Sequence, residues 1–232
     1  PPPPPPPPPP RFCRVSGWAA APFQTTCRES VNAPDYLVVG HVARDLVADG
    51  SFRIGGTVTY AATTARALGW RVGVLTSAGR DLPLEAAFQD AELQVVPAAQ
   101  STTFENIYHQ GRRTQFIRST AARLRPADLP EAWRRARIVH LGPLAQEVAP
   151  EFVDLFPPDT LIGVTPQGWL RCWDGAGRVG VQAWSTAARV LRRADAMVLS
   201  REDVGGDETQ LEHYLSLARL AAVTQSWQGA SL

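Results

Sequence analysis

From residue 35 onward the chain alternates short apolar runs with stretches of helical character, and this alternation restricts the fold more than any other feature. The apolar runs occupy 36–40, 71–76, 93–97, 137–142, 160–165, 196–200 and 220–224. Between most of them lie helix-like stretches at 57–68, 84–90, 127–136, 184–193 and 209–219. Runs that stay apolar without alternating belong to strands buried on both faces, and strands separated by helices pair in parallel. The pattern predicts an α/β domain over 35–232, with a mostly parallel sheet and helices on both faces. Hydrophobic residues make up 44% of the 232 positions, enough for one sizeable core.

One segment breaks the rhythm. Residues 102–119 alternate apolar and polar side chains on either side of a Gln-Gly-Arg turn, as a hairpin with one wet face does. With a short strand at about 50–56 it forms a candidate antiparallel lid; inserted elements above the carboxyl ends of strands are where α/β enzymes close over ligands. At the other extreme, residues 1–34 begin with ten consecutive prolines and continue without helical or strand periodicity. They read as a disordered extension, with a polyproline rod for an SH3 or WW domain as the alternative use.

All 23 basic residues are Arg, and no Lys occurs. This excludes a Walker A loop, the strand lysine of protein kinases and Schiff-base chemistry. The net charge of +1 provides no field for nucleic acid. Eight Arg between 112 and 137 face only Asp128 and Glu131; a solvated face is the favoured reading and a phosphate patch the alternative. Cys13, Cys27 and Cys172 are too scattered for a disulfide framework or a zinc cluster. No apolar run approaches the roughly 20 residues of a membrane span, so a soluble cytoplasmic protein is expected. His41 stands beside the first strand, within reach of a ligand, whereas His140 lies inside an apolar run and reads as a core histidine.

The segment 38–81 carries the densest motif set. Asp45 follows the first strand and is placed just beyond the sheet's carboxyl edge, where a carboxylate can accept hydrogen bonds from ligand hydroxyls; an ordinary capping aspartate is the alternative. Gly55 and Gly56 precede a small-residue helix and would let backbone approach a ligand, or would simply turn the chain. These residues, the Leu68-Gly69 helix end, the strand at 71–76 and the Gly79-Arg80-Asp81 turn together resemble the N-terminal signature of the ribokinase-like (PfkB) carbohydrate kinases. The later stretch 194–207 and the segment 221–232 resemble that family's next landmarks.

The resemblance implies a Rossmann-like core with a small β lid, ATP and Mg²⁺ as co-substrates, and phosphoryl transfer to a sugar or polyol hydroxyl. By position, Asp45, Gly55, Gly56 and Tyr60 would hold the substrate, Tyr60 standing where ribokinases often have Asn. The family's Asn-x-x-Glu motif is matched by Ser200 to Asp203, which keeps a carboxylate for the metal and phosphate network, with Thr224 and Gly229 near the nucleotide. No metal is expected to be liganded directly. The resemblance also allows a homodimer through the lid strands.

Two departures bear on activity. The family's Gly-Ala-Gly-Asp motif, source of the catalytic base and an anion hole, is not found before Leu232; the Gly-Ala-Gly at 175–177 is followed by Arg178 and reads as a loop. Little or no turnover by this chain is therefore expected, and a catalytically silent sugar- or nucleotide-binding protein is the alternative function. Thr165-Pro-Gln-Gly168 follows a strand where some of these kinases carry Asp-Pro-Gln-Gly, and reads as a strand-ending turn.

Overall fold

The computed structural model describes residues 33–110 and 112–232. The extension expected over 1–34 lies outside the described residues except for its last two, and those two belong to the domain. Ala33 is buried, and the Pro34 ring fills the space beside Gly73.

The chain begins with β1 (Tyr36–Val39), β2 (Ala43–Leu46), β3 (Phe52–Gly55), α1 (Thr57–Ala67), β4 (Val72–Ala78), α2 (Leu84–Ala87) and β5 (Glu92–Pro97). It continues through β6 (Thr102–His109), β7 (Arg112–Ser119), β8 (Ile138–Leu141), β9 (Leu161–Val164), β10 (Arg171–Trp173) and β11 (Val179–Val181). Last come α3 (Ala187–Arg193), β12 (Ala196–Ser200), α4 (Glu208–Leu217), β13 (Ala221–Thr224) and β14 (Ala230–Ser231).

Eight strands form the central sheet in the order β14-β13-β12-β9-β8-β1-β4-β5. All neighbours pair in parallel except β14, which runs antiparallel to β13. Because side chains alternate along a strand, β1 serves two layers. Leu37 and Val39 enter the larger core with Leu141, Val164, Leu199 and the helices α3 and α4. Val38 enters a smaller core with Val74 and α1. The α1 residues Val58, Ala62 and Ala65 are buried at i, i+4 and i+7, one stripe of a helix. Its end is closed by the paired bonds Gly69 N to Arg66 O and Trp70 N to Ala65 O. Opposite, Trp169 stacks on Trp184 with centroids 4.9 Å apart. Helices thus lie on both faces, but on the α1 side they stop short of the far strands: Leu161 is 56% and Val198 41% exposed.

The lid is a separate four-stranded sheet, β3-β2-β6-β7. It includes β2, which carries Asp45, the residue expected just beyond the main sheet's carboxyl edge. A small hairpin of β10 and β11 props it, with Ile117 N donating to Gly177 O at 2.8 Å. The Gly-Ala-Gly at 175–177 is therefore in the connection of this hairpin, whose strands carry too little periodicity to read from sequence.

The helix expected at 127–136 is instead two 3₁₀ turns, Pro126–Asp128 and Glu131–Arg135. Pro130 stands between them; it has no N–H and pushes the preceding Leu129 into extended backbone, ψ 122. The stretch at 184–193 becomes helical only from Ala187, and the Trp184 N–H before it donates to the Tyr214 hydroxyl. The stretch at 84–90 shortens to Leu84–Ala87. Among the described residues no helix is long and apolar enough to cross a membrane.

Candidate functional site

The lid folds over the carboxyl end of β1, and a cavity of about 300 Å³ lies beneath it. Asp45 enters it from β2, Gly56 and Thr57 from the start of α1, and Asn106, Arg113 and Gln115 from the lid hairpin. Cross-strand register puts Asn106 opposite Gln115, and the Gln115 amide donates to Asn106 Oδ1 at 3.0 Å. One face of the hairpin thus runs from apolar Phe104 and Ile117 to polar Asn106, Gln115 and Arg113. The first pair packs into a small core with Leu144, and the polar members line the cavity.

Gly55 and Gly56 are required by close approach. A Cβ on Gly55 would fall on the Asp45 carboxylate, and one on Gly56 would come within 2.7 Å of Leu144 Cδ1. Gly56 also has φ 96, left-handed backbone that favours glycine. The Asp45 carboxylate makes no hydrogen bond among the described residues. Burial pushes its carboxyl above the usual range, and the charges of Arg171 and Arg113 act against that rise. A desolvated carboxylate with unspent acceptor capacity is suited to ligand hydroxyls. Tyr60 is on the cavity's outer lip and 67% exposed.

A second cavity, of about 250 Å³, adjoins the first. It shares Arg113, Gln115, Gln167 and Arg171 with it and adds Ser200, Glu202 and Asp203 at the end of β12. Ser200 and Asp203 cap one short turn reciprocally: Ser200 Oγ accepts from Glu202 N at 3.1 Å, and Asp203 Oδ2 accepts from Ser200 N at 2.8 Å. The other Asp203 oxygen accepts from the Gln167 amide at 3.0 Å, so the strand-ending turn at Pro166–Gly168 reaches the site through one side chain. A wider groove of about 570 Å³ follows, with Ser200, Glu202 and Thr224 in its wall. Gly229 is outside that wall; its carbonyl accepts from Gln225 N and closes the turn beneath it. The structure thus brings Asp45, Gly56 and Tyr60 to one cavity and Ser200 and Asp203 to the next.

No family model and no curated protein matches the sequence. Solved structures match the architecture. A pyrophosphate-dependent kinase in the ribokinase family, complexed with a pyrophosphate analog and myo-inositol, aligns at 22% identity and TM-score 0.68 over 82% of this chain and 73% of its own. The fold is ribokinase-like. Arabidopsis thaliana ribokinase complexed with ribose and ATP aligns at 14% identity and TM-score 0.56, covering 86% of this chain and 74% of the other. A microbiome-derived acarbose kinase aligns at 18% identity and TM-score 0.59 over 86% and 72%.

Several residues that line these cavities carry no signal of it in the sequence. Arg171 leaves β10 and points into the junction of the two cavities; burial pulls its guanidinium down to about 10, still charged at neutral pH. Arg113 was counted among a solvated Arg run but lines both cavities. Glu147 is buried, and its carboxylate accepts from the backbone N–H groups of His41, Leu144 and Ala145. It ties the loop after β1 to the loop after β8, and so holds the cavity floor. The alternation of 102–119 was the one signal that could have found Asn106, Arg113 and Gln115. His41 makes no ligand-facing contact: its ring bonds Thr102 Oγ1 and Ala122 O. His140 is enclosed between the Tyr36 and Thr165 hydroxyls, as expected of a core histidine.

Proposed function

We propose that this chain binds a sugar or polyol under the lid and serves phosphoryl transfer to one of its hydroxyls from an ATP or pyrophosphate donor. The observation that carries this reading is Asp45: a half-buried carboxylate with no hydrogen-bond partner among the described residues, in a cavity that opens directly onto a second one lined by Ser200, Glu202 and Asp203. Neutral hydroxylated ligands satisfy such a carboxylate. Kinases of the same fold supply the chemistry: their structures hold myo-inositol with a pyrophosphate analog, and ribose with ATP.

Among the described residues no group of three or more His, Cys, Asp or Glu side chains could hold a metal. Glu202 and Asp203 beside the second cavity fit a Mg²⁺ that keeps most of its waters and arrives on donor phosphates. When bound, that ion neutralises phosphate charge. Asp203, whose position two hydrogen bonds hold, would orient its water shell. The outer lid strand β3 leaves an edge, and lid-to-lid pairing of two copies belongs to the same reading.

The test is calorimetric titration with a panel of neutral sugars and polyols, followed by phosphorus NMR with Mg-ATP or Mg-pyrophosphate. A polyol that binds the native chain and is lost in Asp45→Asn supports the reading. It is overturned if none binds, or if Asp45→Asn binds equally well.

A further inference from the structure

Where the two cavities meet, two cations face each other. Arg113 comes from lid strand β7 and Arg171 from β10, and both line both cavities. Among the described residues neither forms an ion pair, although Arg44, Arg118, Arg189 and Arg201 all do. Arg171 spends one N–H on Leu144 O at 3.1 Å, and its guanidinium is held over the Phe104 ring, 5.2 Å from the centroid. Its remaining donors are unspent. The nearby carboxylates of Glu147 and Asp203 lend it favourable charge but no ion pair: Glu147 bonds backbone amides, and Asp203 bonds Gln167 and Ser200 N. Asp45 remains, turned toward Gly55. The two guanidinium groups repel each other, and an anion between them would relieve that repulsion and take up the unspent donors.

We infer that Arg113 and Arg171 form a clamp for a phosphoryl group at the junction of the two cavities. This rests on the kinase reading, which places a donor on one side of the junction and a hydroxylated acceptor on the other. The guanidinium forks match the oxygens of a phosphate, and one arm of the clamp rides on the lid, so closure completes it. The phosphate can be the donor's terminal group or an ester on the acceptor, and both offer the same oxygens.

The experiment titrates inorganic pyrophosphate, ribose 5-phosphate and myo-inositol into the native chain and into Arg113→Gln, Arg171→Gln and the surface control Arg192→Gln. Circular dichroism verifies folding, and exposed Arg113 supplies a variant that leaves the core intact. Loss of a charge-assisted fork should weaken pyrophosphate about 10- to 100-fold in each site variant, with myo-inositol and the Arg192→Gln control within about twofold. The same drop confined to ribose 5-phosphate supports the clamp with the phosphate on the acceptor. Both phosphates binding the site variants as tightly as the native chain, or neither binding the native chain, overturns it. Failure of the clamp leaves polyol binding intact, whereas failure of the kinase reading removes polyol binding itself.

Discussion

The Asp45 carboxylate occupies the space that a Cβ on Gly55 would need. Gly55→Ala should therefore displace the carboxylate and reduce polyol affinity by about tenfold or more, the cost of misplacing one charged hydrogen-bond acceptor. Gly163→Ala, where a Cβ meets open space, should leave binding unchanged. Parallel titrations of the two variants check the pair.

Glu147 accepts from three backbone amides in the interior, joining two loops distant in sequence. Glu147→Gln keeps the shape but turns an amide N–H toward backbone N–H groups. The expected loss is about 3 kcal/mol, or a fall in Tm of about 6–12 °C for a domain of this size. Calorimetric melting measures it directly.

His140 should make stability fall in mild acid. Burial lowers its pKa from 6.5 to about 4, so the unfolded chain binds a proton that the native one refuses between those values. Stability is fully present above about pH 6.5 and declines as pH drops toward 4, by up to about 3 kcal/mol. Urea unfolding at pH 7 and pH 5 reads the loss, and His140→Gln should remove this part of the pH dependence.

Asp203→Ala should weaken Mg-ATP or Mg-pyrophosphate binding while sparing polyol affinity, because Asp203 lines the second cavity and not the first. It also uncaps the turn at 201–204, costing about 1 kcal/mol. Titrating donor and polyol separately tells the two cavities apart: a fall in polyol affinity would contradict the division.

The readable parts of the site were those written within one stretch of chain. Asp45, Gly55 and Gly56 stand within twelve residues, and the β2–β3 hairpin brings them together locally. Arg171 stands 126 positions after Asp45 in an unpatterned stretch, and only the docking of β10 and β11 against the lid turns it into the cavity. Arg113 looked like one of many surface arginines because its meaning depends on which face of the hairpin meets the body. The failed helix at 127–136 has the same origin: helical composition was overridden by Pro130 and by what each segment could pack against.

By itself the sequence determined a parallel α/β core, because unbroken apolar strands separated by helices have few other ways to leave water. It also determined that any phosphate would have to be met without lysine. Only the tertiary structure decided that Arg113 and Arg171 face each other across a cavity junction and that Glu147 clamps its floor. Such contacts join residues far apart in the chain, and their energy arises only when packing removes water from both partners at once.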